Sequence, residues 1–523
     1  MKINYQYTNY TPLIFSLFIG SIVYLFGFDS FYFFDDTLYI RYANELSNGI
    51  LDIRPDNFYH RWGLTLPTAL LIKKFAINRY STTLWSFFCW AGSVIIVNKI
   101  TQKDQEICIW ATFLCAFDFY FIFFCNKVYP DIQVAFFSFA AMYILSKCLQ
   151  TNNYISNSFI FVFFCVSAFL SKTTFIYIVP GIIWIFISNY KNSHFIKFTI
   201  SSFILGIISL FLLGYFYKYH TGDYLYIFSR IESNHYTHSE SYFDKNWTFL
   251  LERLTVGPLN MFINTGMIIP FLLSIPIYQP KNWKQLTDSE RIWPIISASI
   301  LIMFWIGTLS LKFYHPMSLL PRMILMLTPF LAITAAMSYF KFMHQKVSPL
   351  FISILLIIIA IYCYLNIYPQ KSITYILFSS GFLVLYLSKK HASFANKFSL
   401  FLPIILCLHP LYSAFKPKEF EYFNEKEMFE NTISKLNGTL ITDARPAQSF
   451  DYYFRYKPHS KLKIYSSEDT IKNNNKKPIY LLENKGFSNY FSNLNIASAS
   501  DKYSQFKKIE IKKIGQVTLY KLQ

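Results

Sequence analysis

Apolar runs recur along most of the chain, at roughly 12–28, 80–98, 106–125, 131–149, 156–171, 174–189, 198–217, 257–277, 292–311, 320–339, 348–367, 372–388 and 398–415. A helix needs about 20 mostly apolar residues to cross a bilayer, and these thirteen runs meet or nearly meet that length. A fourteenth stretch, Tyr59 to Ile77, is shorter and carries His60, Arg61, Lys73 and Lys74. After residue 415 the pattern changes. Helical spacing over Glu425 to Leu436 is followed by short strands at Thr439–Thr442, Leu462–Tyr465 and Pro478–Leu482, and Ile509 to Leu522 reads as a closing hairpin. The pattern predicts an α-helical polytopic membrane body over 1–415, with long loops at 29–79 and 218–256, and a small soluble α/β domain over 416–523.

Composition sharpens that division. Charged residues make up 15% of the 523-residue chain and hydrophobic ones 54%. They are about 29% of the last 108 residues against about 11% of the rest. A soluble enzyme, a disordered chain and a disulfide scaffold are all excluded. The eight cysteines lie in or beside apolar runs, without metal-binding spacing, and read as small apolar side chains. The first run has no small-residue cleavage site after it and reads as an uncleaved span.

The net charge of +19 is mostly orientation. If 59–77 does not cross, one set of loops holds thirteen lysines and arginines and the short loops of the other set hold five. Positive loops stay cytoplasmic. The N-terminus is therefore expected in the cytoplasm, the C-terminal domain outside, and 59–77 as a helix lying in the outer interface. Nucleic acid is not an expected partner. Of the body's 17 carboxylates, 11 fall in the two long outer loops. That is the positive-inside bias, or a site at the outer face.

Several motifs could carry chemistry there. Asp35 and Asp36 open a predicted helix that stops at Asn48-Gly49, with Asp35, Tyr39 and Tyr42 on one face. A helix N-terminus favours negative charge, which suits a general base; Asp is also a favoured N-cap. His60-Arg61 opens the interfacial stretch, where Arg matches a phosphate, and Tyr, Trp and Arg also serve as interfacial anchors. Asp131 and Lys172 each place one charge in a tight outer turn, for use or for pairing with each other. Glu232, His235 and His238 are spaced to share a helix face and hold a metal, or to be solvated loop residues. Arg322 enters the tenth span from outside, to bind phosphate or to snorkel. Asp118 is a mid-span carboxylate, functional or bonded to a neighbouring helix. No Walker loop, Rossmann fingerprint or nucleophile elbow occurs, so the sequence offers no means of using a nucleotide.

Together these motifs resemble the GT-C membrane glycosyltransferases, specifically glycosyltransferase family 39, which includes protein O-mannosyltransferases and lipid A aminoarabinose transferases. The resemblance runs through the membrane body and weakens in the tail. It implies a GT-C fold of about thirteen transmembrane helices, with Asp35 as catalytic base beside Asp36, where many relatives have Glu. It implies substrate contacts from Tyr39, Arg61, Asp131, Lys172 and Arg322. His60-Arg61 stands where aminoarabinose transferases have a metal-binding Glu and a phosphate-binding Lys, and His235 falls near a family histidine, so a divalent metal at His60, Glu232 and His235 is a further expectation. The implied reaction is inverting transfer of a sugar from a polyprenyl-phosphate donor to a glycan, lipid or protein acceptor at the outer face of a bacterial inner membrane. The alternative in another class is a transporter or lipid flippase, which would show mid-membrane polar groups and broken helices.

Overall fold

A computed structural model of the protein describes all residues except 1–9, 32, 151–152, 238–241, 243–244, 311, 344–347, 367–368, 389–390, 457–460, 468, 470–477 and 494–495. Two compact units emerge. The first comprises Met1–Gly27, Asp52–Pro67 and Thr83–Ala414; the second comprises Phe28–Leu51, Thr68–Thr82 and Phe415–Gln523.

The first unit is helical, with a helix in each of the thirteen apolar runs. Among the described residues, seven helices are long and apolar enough to cross a membrane singly, or nine if two bent pairs each count as one span. The second of these, Val256–Thr265 with Ile268–Tyr278, turns through 109° at Gly266, where a straight span was expected. The first, Gln105–Ala116 with Phe119–Asn126, bends by 55°. There Asp118 caps the second half, its Oδ1 accepting from the Phe121 N–H at 2.8 Å. Asp118 thus bonds the broken backbone of its own span.

Burial sorts the spans. Pro321–Met343 is 89% buried and Ser193–Thr221 only 11%. The central span carries Ala332, Ala335, Ala336 and Ser338, all buried, and small residues let helices approach closely where lipid supplies no hydrophobic drive between them. Its end is pinned by Trp110, which stacks on Tyr339 at 4.8 Å and donates to the Ser399 carbonyl. The peripheral span shows Phe203, Ile207, Leu210 and Phe211 outward, the surface of a helix whose solvent is lipid. Trp62–Phe75 is a separate 14-residue helix, shorter than a crossing requires.

In the second unit a five-stranded sheet has the order β2-β1-β3-β5-β4, from β1 Gly438–Thr442, β2 Leu462–Ser466, β3 Ile479–Asn484, β4 Lys508–Ile514 and β5 Val517–Leu522. β1 pairs in parallel with β2 and β3, whereas β5 runs antiparallel to β3 and β4. Strand side chains alternate between faces. Leu440, Leu482 and Leu519 thus join Met428, Phe429 and Phe450 on one face, while Ile441, Leu481 and Leu522 pack with Ala499 on the other. Within that core Glu425 is buried, and burial pushes its carboxyl up to about 7 against the hydrogen bonds it accepts from Asn484 and Tyr453.

The same unit contains the helix Phe33–Ser47. It ends where expected, Gly49 taking φ +78, a conformation open to glycine at little cost. Its entry is held at many points. The Asp29 carboxylate accepts from the Glu419 and Phe420 N–H groups, both at 3.0 Å. Arg445, buried between the Phe420 and Phe487 rings, donates to the Phe31 carbonyl. Tyr456 donates to the Thr37 carbonyl at 3.0 Å, and Arg41 pairs with Asp451 at 3.2 Å. Arg455 and Tyr456 both adopt positive φ, a strained turn for non-glycine residues that aims the Tyr456 hydroxyl at this helix.

Candidate functional site

In the first unit a close backbone approach assembles a charged cluster. A Cβ on Gly63 would meet Ser171 Oγ at 2.1 Å and the Ser167 carbonyl at 2.7 Å, so only glycine lets the start of Trp62–Phe75 pack against the end of Tyr154–Ser171. Trp85 locks the approach by donating to the Gly63 carbonyl at 3.0 Å. Arg61 precedes this contact and Lys172 follows it, which brings the two cations near one another.

Lys172 is buried and paired with Asp131, itself 3% exposed at the start of Pro130–Cys148. Its Nζ also lies 2.9 Å from Met323 Sδ. Arg322 stacks its guanidinium 4.7 Å over the Tyr129 ring. Burial pulls the Lys172 amine down to about 8; Asp131 opposes that shift, and the positive fields of Arg322 and Arg61 add to it. The expected pairing of Asp131 with Lys172 is therefore made, and the fields of Arg61 and Arg322 act on the same ammonium. Arg61 Nε is buried without a hydrogen-bond partner among the described residues. A buried ammonium flanked by two guanidinium groups favours an anion nearby, and Arg suits phosphate geometry.

His60 turns out differently from the expectation of a metal ligand. Its Nε2 bonds the Arg54 carbonyl at 3.0 Å and its Nδ1 bonds the Tyr217 hydroxyl at 3.0 Å, so neither nitrogen keeps a lone pair for a metal. Burial lowers its pKa to about 4, with Arg61 and Arg230 adding to the effect and the Arg54 carbonyl opposing it. The ring is a neutral strut among Tyr59, Tyr217 and Tyr226. Glu232 accepts from Ser310 at 2.5 Å. The side chain of His235, and His238 altogether, lie outside the described residues. Among the described residues no group of three His, Cys, Asp or Glu could hold a metal ion. His60 thus does not fit the expected metal.

Asp35, Asp36 and Tyr39 belong to the second unit. The helix begins at Phe33, so both carboxylates lie inside its first turn and Asp35 is not the cap. Asp36 is wholly buried and Tyr39 is 3% exposed, whereas Asp35 keeps accessible surface. Of the two acids, Asp35 is the more accessible.

Two further arginines lie outside every motif of the sequence. Arg230, on Tyr226–Thr237, rests over the Tyr226 ring at 4.9 Å and its field reaches His60. Arg253 is 3% exposed and donates to the Phe304 carbonyl, satisfying a last-turn carbonyl of the span Asp288–Ile306. The signal for Arg230 was an arginine two residues before Glu232 in an amphipathic stretch.

The chain is similar over 97% of its length to two crystal structures of ArnT from Cupriavidus metallidurans, covering 97% of each. One is in the apo state, with TM-score 0.57, and one is bound to undecaprenyl phosphate, with TM-score 0.56; identity is 10% in both. No family model and no curated protein matches the sequence. The likeness establishes the fold: a helical membrane body of the GT-C type with a small C-terminal α/β domain.

Proposed function

We propose that this protein is an inverting glycosyltransferase of the family 39 kind, moving a sugar from a polyprenyl-phosphate donor to an acceptor hydroxyl at the outer face of a bacterial plasma membrane. The observation that carries this reading is the grouping of Arg61, Lys172 and Arg322, three cations whose fields meet at the buried Lys172–Asp131 pair and suit an anion. The GT-C fold, and the undecaprenyl phosphate held by one ArnT structure, give that anion a chemical class.

The steps follow from these groups. Asp35 accepts the proton of the acceptor hydroxyl as its oxygen attacks the anomeric carbon. The bond from that carbon to the phosphate oxygen breaks, and the electron pair leaves with the lipid phosphate. Arg61, Lys172 and Arg322 neutralise the charge that develops there, in surroundings where such stabilisation is strong. Asp131 keeps Lys172 charged and aimed. No step is routed through a metal. The acceptor is a glycan, a glycolipid or a protein, and the cytoplasmic N-terminus follows from the lysine distribution.

The test is direct. The purified chain in proteoliposomes, given a lipid-phosphate sugar extracted from the native membrane, is expected to release polyprenyl phosphate. Replacing Lys172 by Met is expected to suppress that release; release that is absent, or indifferent to Lys172, removes the reading. One observation favours a transporter or flippase instead: both bent spans line a single cavity. Vesicle uptake or lipid flipping without a glycosylated product would decide for it.

A further inference from the structure

The cavity between the two broken spans is distinct from the cation cluster. Its volume is about 60 Å³, room for several water molecules, it opens in part to the surroundings, and its wall is mainly apolar, the character of a small-molecule site. The polar residues that line it are Asp118, Asn264, Lys371, Thr374 and His409. All five keep accessible surface, while the flanking Phe117, Ile263, Thr265 and Tyr375 are buried.

Much of this polarity maintains the breaks themselves. Asp118 Oδ1 caps the helix after the 55° bend. Lys371 donates to the Asn264 carbonyl and side-chain oxygen and to the Tyr120 hydroxyl, satisfying the end of the helix before the 109° turn. His409 stacks on Phe119 with ring centroids 4.2 Å apart. Capping accounts for one oxygen of Asp118. It does not account for a cavity with a carboxylate, an ammonium and an imidazole on its wall, inside helices that carry apolar residues outward. Ile373 is 56% exposed and Leu408 52%, and both sit on helices that line the cavity. Ionisable groups at such depth are expensive unless they are used, and discontinuous helices in membranes characteristically frame ligands.

We propose that this cavity binds the headgroup of a zwitterionic phospholipid bearing a primary ammonium and a phosphate. The ammonium lies at Asp118, the phosphate lies toward Lys371 and His409, and the acyl chains leave along the apolar wall. The site does not depend on glycosyl transfer. It is a lipid site in its own right, and it holds whether or not the cation cluster binds a donor.

The experiment uses the full chain in detergent, with phosphatidylethanolamine or phosphatidylglycerol added and bound lipid read by native mass spectrometry. One phosphatidylethanolamine per chain is expected, with about tenfold preference over phosphatidylglycerol, the scale of a single well-placed charge contact. Asp118→Asn keeps a good cap but loses the charge, so it is expected to fold as the wild type and abolish the preference. Thr374→Trp, which fills the cavity, is expected to exclude the lipid. Equal retention of the two lipids, or a preference unchanged in Asp118→Asn, overturns the proposal. Displacement of the bound lipid by soluble phosphoethanolamine overturns the lipid assignment, because the headgroup alone would then suffice. If Asp118→Asn stops glycosyl release without altering lipid retention, the site belongs to catalysis and the proposal fails.

Discussion

The two units of this protein handle buried polarity in opposite ways. In the membrane unit charges pair side chain to side chain or close a helix end or break. Lys172 pairs with Asp131, Asp118 caps a bend, and Lys371 closes a helix end. In the second unit the polar groups act at long range in sequence and fix backbone to backbone. Asp29 takes two N–H groups some 390 residues away, and Arg445 returns to the Phe31 carbonyl. The lesson is about what each environment tolerates. Lipid admits a charge only where a partner or a broken helix requires it, so charge there marks sites. A watery domain can use charges simply as ties, so a carboxylate such as Asp35 must be judged by its exposure.

The sharpest way to break this comparison is Asp35→Asn. If Asp35 is the base, transfer is expected to fall by about 10²–10⁴-fold, with the tail still folded by circular dichroism; wild-type turnover would make Asp35 one more structural carboxylate. Next is the buried pair. Lys172→Met strands Asp131 and is expected to cost about 3–5 kcal/mol of stability, measured by thermal denaturation in detergent. Adding Asp131→Asn is expected to restore most of it. A double variant no more stable than the single one would show that the pair is not coupled. The same pair predicts a pH limit: Lys172 discharges as pH rises through about 8, so the donor KM is expected to climb above that pH. Lys172→Arg, which stays charged, is expected to move the rise upward.

Smaller effects belong to ties and struts. Asp29→Ala removes two hydrogen bonds to a carboxylate, about 1.5–3 kcal/mol each. Hydrogen exchange is expected to quicken across residues 33–47 and 419–425 together and to leave Pro321–Met343 unchanged; quickening confined to one segment would break the link. For His60 the sign follows from a pKa lowered to about 4 in the folded chain against 6.5 otherwise. Below 6.5 the unfolded chain binds the extra proton, so stability is expected to decline as pH falls from 6.5 to 4. The thermal midpoint is expected to track that decline and to lose part of its pH dependence in His60→Gln.

Much of the fold was legible in the residues. The apolar runs, the helix ending at Gly49 and the five strands all rest on periodicities of neighbours in sequence. The bends in the third and eighth runs were not read from the sequence, although Asp118 and Gly266 stand at them. The cation cluster was readable as separate candidates, Arg61, Asp131, Lys172 and Arg322, without their grouping. His60 misled, because one imidazole can bind metal, carry a proton or brace a fold, and only its two partners, Arg54 and Tyr217, decide which.

The sequence by itself determined which segments are apolar, where helices and strands run, and where charge is scarce enough to mean something, because those properties depend on residues within a turn or two of one another. Tertiary structure alone decided that Asp29 and Phe31 are bonded to residues beyond 415, that Gly63 lets Arg61 approach Lys172, and that two bends enclose one cavity. Each depends on what packs against a side chain, and the partners come from stretches of chain that no local spacing connects.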